Sequence, residues 1–352
     1  MIAEQKCPNC GGALIFDPAM GKLRCEFCDS IFDVPQAAPK PQPRVDTRQR
    51  DAALAQMQPL PVYVCRSCGA EVVTPAQTTG SLTCPYCSNN IVLTQQFSGT
   101  LQPDGIVPFS IMPNKLSESV QNYYKGKKFL PKGFFSQNSI GPVTGVYVPF
   151  WVFDCDVAGN LTFKGEQTGK TYREGDYECT EYKTFHLFRN VRMSFQNLSL
   201  DASKRMENDL MDSIQPYDMS RLVPFDIRYL AGFVADRFDE SSQESRQRSD
   251  ARMLKTAQSV AMSRATAGYS GVTIVSNDLK INMRQAKYVL LPVYLLNLKY
   301  NNQEYHFAVN GQTGKVEGKL PFSKSEERKY FWTRFAAGAA AVAAAIALIV
   351  LL

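Results

Sequence analysis

An α+β fold follows from three observations on this sequence. C-x-x-C pairs occur four times in the N-terminal quarter, short phrases recur in the same order through the middle, and the last eighteen residues carry no polar side chain. Together they predict two N-terminal four-cysteine ribbons, an internally repeated α+β region with antiparallel hairpins, and one C-terminal transmembrane helix.

At 352 residues the chain is long enough for two to three domains. With 44% hydrophobic and 20% charged residues, most of it is expected to fold. The net charge of +6 falls short of the strongly basic balance of a dedicated nucleic-acid binder. The opening residues Met1 to Gln5 have neither a basic n-region nor an apolar run, so no secretory signal is expected. Paired cysteines at metal spacing need thiolates and hence a reducing compartment. The bulk of the protein is therefore expected in the cytoplasm.

The first cysteine set is Cys7, Cys10, Cys25 and Cys28; the second is Cys65, Cys68, Cys84 and Cys87. Fourteen residues separate the inner cysteines of the first set and fifteen those of the second. Each C-x-x-C offers two sulfurs from one tight turn, and two such turns complete the tetrahedral shell that zinc prefers. Gly11 and Gly69, directly after the second cysteine of a pair, permit the backbone such a turn needs. Between the pairs a short hairpin is expected. In the first unit residues 13–16 and 22–24 flank the turn 17–21, and in the second residues 71–74 and 81–83 flank 75–80. The layout is a zinc ribbon at 1–34 and again at 62–94. Two structural Zn2+ ions per chain are expected, because four sulfurs leave no position open for water and units this small need the metal to fold.

Residues 35–61, rich in proline and glutamine, read as a linker that lets the first ribbon move relative to the second. Residues 97–322 read as a duplicated α+β domain. Val107-Pro108-Phe109 matches Val223-Pro224-Phe225, Pro149-Phe150-Trp151 matches Pro292-Val293-Tyr294, and Gln167 to Lys170 matches Gln312 to Lys315. Residues 201–214, with Met206, Leu210 and Ile214 on one stripe, and residues 241–266 are expected to be helical. Val146 to Val157 and Tyr288 to Tyr300 are expected to be strands that turn and return.

Residues 323–334 form a basic segment carrying Lys324, Arg328, Lys329 and Arg334, next to Phe331 and Trp332. Residues 335–352 contain eight Phe, Val, Ile or Leu, nine alanines and one glycine. As a helix they would reach about 27 Å, close to the hydrocarbon thickness. A single-pass anchor in the cytoplasmic membrane is expected, with membrane lipid as a partner and the N-terminal bulk inside.

Several features mislead. Gly165 to Thr171 is one residue short of a phosphate loop, and Lys164 stands where its first glycine would be, so a hairpin turn is the better reading. Cys155 reads as a core residue, Cys179 is isolated, and His186 and His306 are far apart. No catalytic set is seen, and the chain does not read as an enzyme.

Two ribbons, the phrase Tyr288 to Asn297, the hairpin Tyr305 to Lys315 and a hydrophobic tail together resemble the bacterial YdjG-like zinc-ribbon proteins. Members are often described as TFIIB-type zinc-ribbon or PriA-helicase-like proteins, although no helicase motif is present here. The resemblance implies a role in membrane-stress responses beside phage-shock protein A-like and flotillin-related (SPFH) partners. The residues it carries over are the eight cysteines. The expected function is a membrane-anchored, cytoplasm-facing scaffold or adaptor that recruits protein partners, with a membrane protein as a further candidate partner. The alternative is a membrane-tethered nucleic-acid binder linked to replication or transcription. Charge weighs against it: residues 1–34 hold three cations against five anions, a net of −2, and residues 61–94 are neutral.

Overall fold

The computed structural model describes residues 2–3, 7–34, 46–55, 62–64, 71–73, 79–83, 90–93, 97, 99–131, 134, 143–301 and 303–351. The N-terminal part contains β1 (Ile2–Ala3), β2 (Leu14–Asp17), β3 (Lys22–Cys25), β4 (Ile31–Asp33) and α1 (Thr47–Ala55). Four short strands follow: β5 (Val62–Val64), β6 (Glu71–Val73), β7 (Thr79–Thr83) and β8 (Asn90–Leu93). Next come β9 (Gly105–Ile106), α2 (Leu116–Tyr124) and a long hairpin of β10 (Thr144–Glu174) and β11 (Tyr177–Asp201). Beyond it lie α3 (Asn208–Ser213), β12 (Val234–Asp236), α4 (Ser242–Ala265) and β13 (Ser270–Asn277). The chain closes with β14 (Lys280–Tyr300), β15 (Gln303–Asn310), β16 (Val316–Gly318) and α5 (Lys324–Leu351).

Among the described residues one eleven-stranded mixed sheet dominates, in the order β1-β8-β7-β12-β10-β14-β15-β16. β11 and β13 also pair with β10, and β9 with β14. The centre is the antiparallel pair β10–β14, in register from Thr144 opposite Leu295 to Ala158 opposite Lys280. Runs rich in Val, Leu, Tyr and Phe, residues 146–153 of β10 and 288–294 of β14, are buried on both faces. Val148, Phe150, Leu291 and Val293 face a layer of Met211, Ile214 and Tyr217. Tyr147, Trp151, Tyr288 and Tyr294 face the larger core. Pro149 and Pro292 are tolerated inside the sheet because each sits at a seam between neighbouring strands. β12 gives way to β11 beside Pro149, and β9 gives way to the end of β15 beside Pro292, so a missing N–H breaks no ladder.

This architecture corrects the expected fold. Residues 97–322 are not two α+β units packed together, because β10 and β14, one from each presumed half, share a single sheet. The matched Gln-Thr-Gly-Lys phrases have different settings: Gln167 to Lys170 lies within β10, whereas Gln312 to Lys315 forms the turn between β15 and β16. The hairpin-turn reading of Gly165 to Thr171 falls with it, since the reversal comes later, between Glu174 and Tyr177. The helix expected over 201–214 is only Asn208–Ser213, as β11 runs on to Asp201. The helix expected over 241–266 is present and begins with a capping box of Ser241 and Glu244.

The transmembrane anchor expected at 335–352, and with it the single-pass cytoplasmic-membrane placement, is also overturned. Among the described residues no helix is long and apolar enough to cross a membrane. The side chains of residues 344–352 lie outside the described ones, and from Phe335 to Ala343 only Phe335 and Val342 are larger than alanine. The base of α5 is instead tied to the body. Tyr330 packs on Phe129 at 5.6 Å, and its hydroxyl lies 3.2 Å from the Lys128 Nζ.

The segment expected to be a free linker contains α1, which is anchored. Arg50 is 1% exposed and donates to both Asp104 carboxylate oxygens at 2.7 and 2.8 Å and to the carbonyls of Thr100 and Gln102. Its guanidinium lies 5.5 Å from the Tyr288 ring centroid. The Asp104 carboxylate also accepts from the Tyr288 N–H, and the neighbouring Asp51 accepts from the N–H and hydroxyl of Ser242 at the start of α4. One turn of α1 therefore joins β14, α4 and the strand entering the sheet. Removing one partner of such a buried pair strands the other charge. Arg50→Ala is expected to cost about 3–5 kcal/mol in urea unfolding. Arg50→Lys is expected to recover only part of it, since an ammonium cannot reproduce the fork.

Candidate metal centre

The first ribbon is built on β2, β3 and β4, an antiparallel sheet with Leu14 opposite Cys25 and Leu23 opposite Phe32. The hairpin turn carries Asp17, whose carboxylate accepts from the N–H groups of Ala19 and Met20. The two C-x-x-C turns flanking this hairpin are built alike. In one, Cys7 N–H donates to the Gly12 carbonyl and Gly11 N–H to the Cys7 carbonyl, both at 2.8 Å. In the other, Cys25 N–H donates to the Ser30 carbonyl at 2.9 Å and Asp29 N–H to the Cys25 carbonyl at 3.1 Å. Each turn needs a left-handed residue four places after its first cysteine. Gly11 fills it at φ +75° and Asp29 at φ +53°.

These turns bring Cys7, Cys10, Cys25 and Cys28 together, with all four sulfurs within 4.8 Å of one another. Cys7 and Cys28 sulfurs are 3.6 Å apart and those of Cys10 and Cys25 3.4 Å. Four sulfurs around one tetrahedral ion at about 2.3 Å would be spaced by about 3.8 Å, so the group fits a metal ion. Cys7 and Cys25 are buried, while Cys10 and Cys28 are exposed.

The thiols are tuned unequally. The Ser30 hydroxyl, 3.1 Å from the Cys28 sulfur, and the Ser30 N–H lower the Cys28 thiol to about 6. At Cys10 the Gly12 N–H favours the thiolate, but the neighbouring Cys28 and Cys25 outweigh it and push the thiol up to about 12. Four thiolates this close repel each other unless a cation lies between them. A bound dication would favour all four thiolates and complete a closed shell with no site for substrate or water.

Ser30 and Asn9, whose amide donates to the Ser30 hydroxyl at 2.9 Å, are site residues that the cysteine spacing alone does not reveal. Asp29 could have been found by counting four residues from Cys25, as Gly11 is found from Cys7. The remaining expected ligands, Cys65, Cys68, Cys84 and Cys87, lie outside the described residues. Their flanking strands differ from expectation. Among the described residues, 71–73 and 81–83 do not pair: β6 pairs with β5, and β7 pairs with β8 and with β12. Cys155 is buried on β10 as expected, and Cys179 lies on β11 away from the cluster. His186 is on β11, and His306 bonds Asn297 at 2.8 Å.

The first ribbon is not free to move. β1 pairs with β8, and Phe16 N–H donates to the Ala231 carbonyl at 3.0 Å. The Phe16 ring meets Tyr229 edge-on at 5.2 Å. Cys7, Leu14, Phe16, Leu23 and Cys25 belong to the same core as Trp151 and Tyr288.

The left-handed positions make a specific expectation. Gly11→Ala is expected to lower stability by about 1–2 kcal/mol and to speed metal loss to a chelator. Asp29→Gly is expected to be neutral or stabilising, because the Asp29–Arg24 ion pair it removes is exposed. Thermal melts and chelator competition on both variants check this.

No family model matches the chain, and no solved structure matches it. A protein of Bacillus subtilis strain 168, described as "Uncharacterized protein YdjG", is 32% identical over 335 residues, 94% of this chain and 94% of that protein. Similarity at this level over nearly the full length of both, with the four-cysteine cluster formed as its spacing requires, places the chain in the YdjG-like family.

Proposed function

We propose that this chain is a zinc-stabilised adaptor, a non-enzymatic protein whose ribbons dock protein partners. The observation that carries the reading is the closed four-sulfur cluster of Cys7, Cys10, Cys25 and Cys28. A tetrahedral all-sulfur set suits zinc, and a full shell gives the metal a structural rather than catalytic part. Cys65, Cys68, Cys84 and Cys87 form the second site in this reading, so each chain carries two zinc ions.

Around the first cluster, Phe27 is 76% exposed, and Ile31 and Met20 are also exposed. Apolar anchors held on a metal-rigidified turn suit protein docking, since little entropy is lost on binding. The acidic balance of the first ribbon, made more negative by four thiolates on one dication, disfavours phosphate backbones and so the nucleic-acid alternative. The family resemblance implies phage-shock protein A-like and flotillin-related proteins as partners in a membrane-stress response, and these are the partners proposed.

Elemental analysis of protein purified without chelators is expected to give two zinc ions per chain, falling to one in Cys25→Ser. Phe27→Ser is expected to weaken binding of a purified phage-shock protein A-like partner by about 2 kcal/mol, the loss of a central aromatic anchor. Zinc-free protein, or steeply salt-dependent binding of DNA or RNA in place of the protein partner, contradicts the reading.

A further inference from the structure

The β10–β11 hairpin outgrows the body of the sheet. β13 supports β10 only as far as Glu166 opposite Ser270, and beyond it residues 167–174 and 177–183 make a two-stranded ribbon. Such a ribbon is marginally stable by itself. Among the described residues the outer edge of β11 pairs with no strand. Long unpaired edges are usually blunted or covered, because their free N–H and carbonyl groups invite another strand. This edge also carries exposed rings, Tyr182 at 62% and Phe188 at 74% exposure.

The sequence of β11 is complementary to itself when reversed. We propose that two copies of this chain pair antiparallel along β11, about a two-fold axis through Phe185, joining their sheets edge to edge. In that register every residue pairs with the one equally far from Phe185. Glu181 lies opposite Arg189 and Glu178 opposite Arg192, each twice by symmetry, and Tyr182 lies opposite Phe188. Opposed residues share a face, so Tyr182, Phe188, Glu178 and Arg192 meet on the side of β11 that is exposed in one chain. No like charges oppose one another.

Neighbouring registers are poorer. Moving the axis one residue toward the C-terminus sets Lys183 against Arg189, and moving it one residue the other way leaves Glu181 facing Leu187. None of Glu178, Glu181, Arg189 and Arg192 forms an ion pair within the described chain. The proposed pairing would give each a partner and turn the marginal ribbon into the interior of a wider sheet. It also fits an isologous interface, in which one surface meets itself.

Sedimentation equilibrium of the full chain at micromolar concentration tests this, with circular dichroism to confirm folding. The parent is expected at twice the chain mass. The double variant Glu178→Arg with Glu181→Arg, and separately Arg189→Glu with Arg192→Glu, opposes like charges at every ionic pair and is expected to weaken dimerisation at least roughly tenfold. Combining all four changes restores complementarity without altering net charge, and the dimer is expected to return. A monomeric parent, a dimer unmoved by the double variants, or a folded quadruple variant that stays monomeric overturns the proposal.

Discussion

Burial of the β10–β14 pair on both faces is the constraint from which the rest of the structure follows. Residues 146–153 and 288–294, where the two strands are apolar on both sides, cannot leave either face in water, so a covering layer is required on each. On one face α3 and Tyr217 supply it with Met211 and Ile214. On the other the layer is assembled from distant pieces: α2, α4, the 3-10 turn at Ile227–Leu230 and the first metal ribbon. The small residues Ser245, Ser249, Ala257, Ala261 and Ala265 on the buried stripe of α4 let that helix lie close to the sheet.

The ribbon is thus part of the cover and not an appendage. Its Phe16, Leu23, Cys7 and Cys25 belong to the core that holds Trp151. A metal ion held by this cluster would tie the Cys7 and Cys25 turns together and so steady β2 and the contact between Phe16 and Tyr229. Arg50 plays a parallel part in α1. It brings this stretch between the ribbons down onto Asp104 and Tyr288. A buried ion pair of this kind adds little net stability over an apolar replacement, but it fixes which segments meet.

What could be read in advance follows from the range of the interactions. The clustering of Cys7, Cys10, Cys25 and Cys28 is legible because a C-x-x-C turn is a local geometry, and so are the hairpin at Asp17, the strand character of β10 and β14, and the helix α4. Partners chosen at long range are not. The pairing of β7 with β12 rather than β6 joins residues some 150 apart, and a single buried arginine in a polar, proline-rich stretch carries no periodic signal. Repeated phrases suggest duplication only if identical short segments have identical settings. Gln167 to Lys170 and Gln312 to Lys315 show otherwise, since their neighbours decide whether the chain continues or turns.

The central claim is that the metal site and the sheet form one cooperative unit. Amide hydrogen exchange on the metal-loaded chain and on Cys25→Ser tests it most directly, because protection is read segment by segment. Loss of the site is expected to remove protection from residues 7–34 and also from residues 228–236, since Tyr229 and Ala231 meet the ribbon just ahead of β12. Loss of protection confined to residues 7–34, with 228–236 unchanged, would show that the ribbon folds independently and would contradict the account.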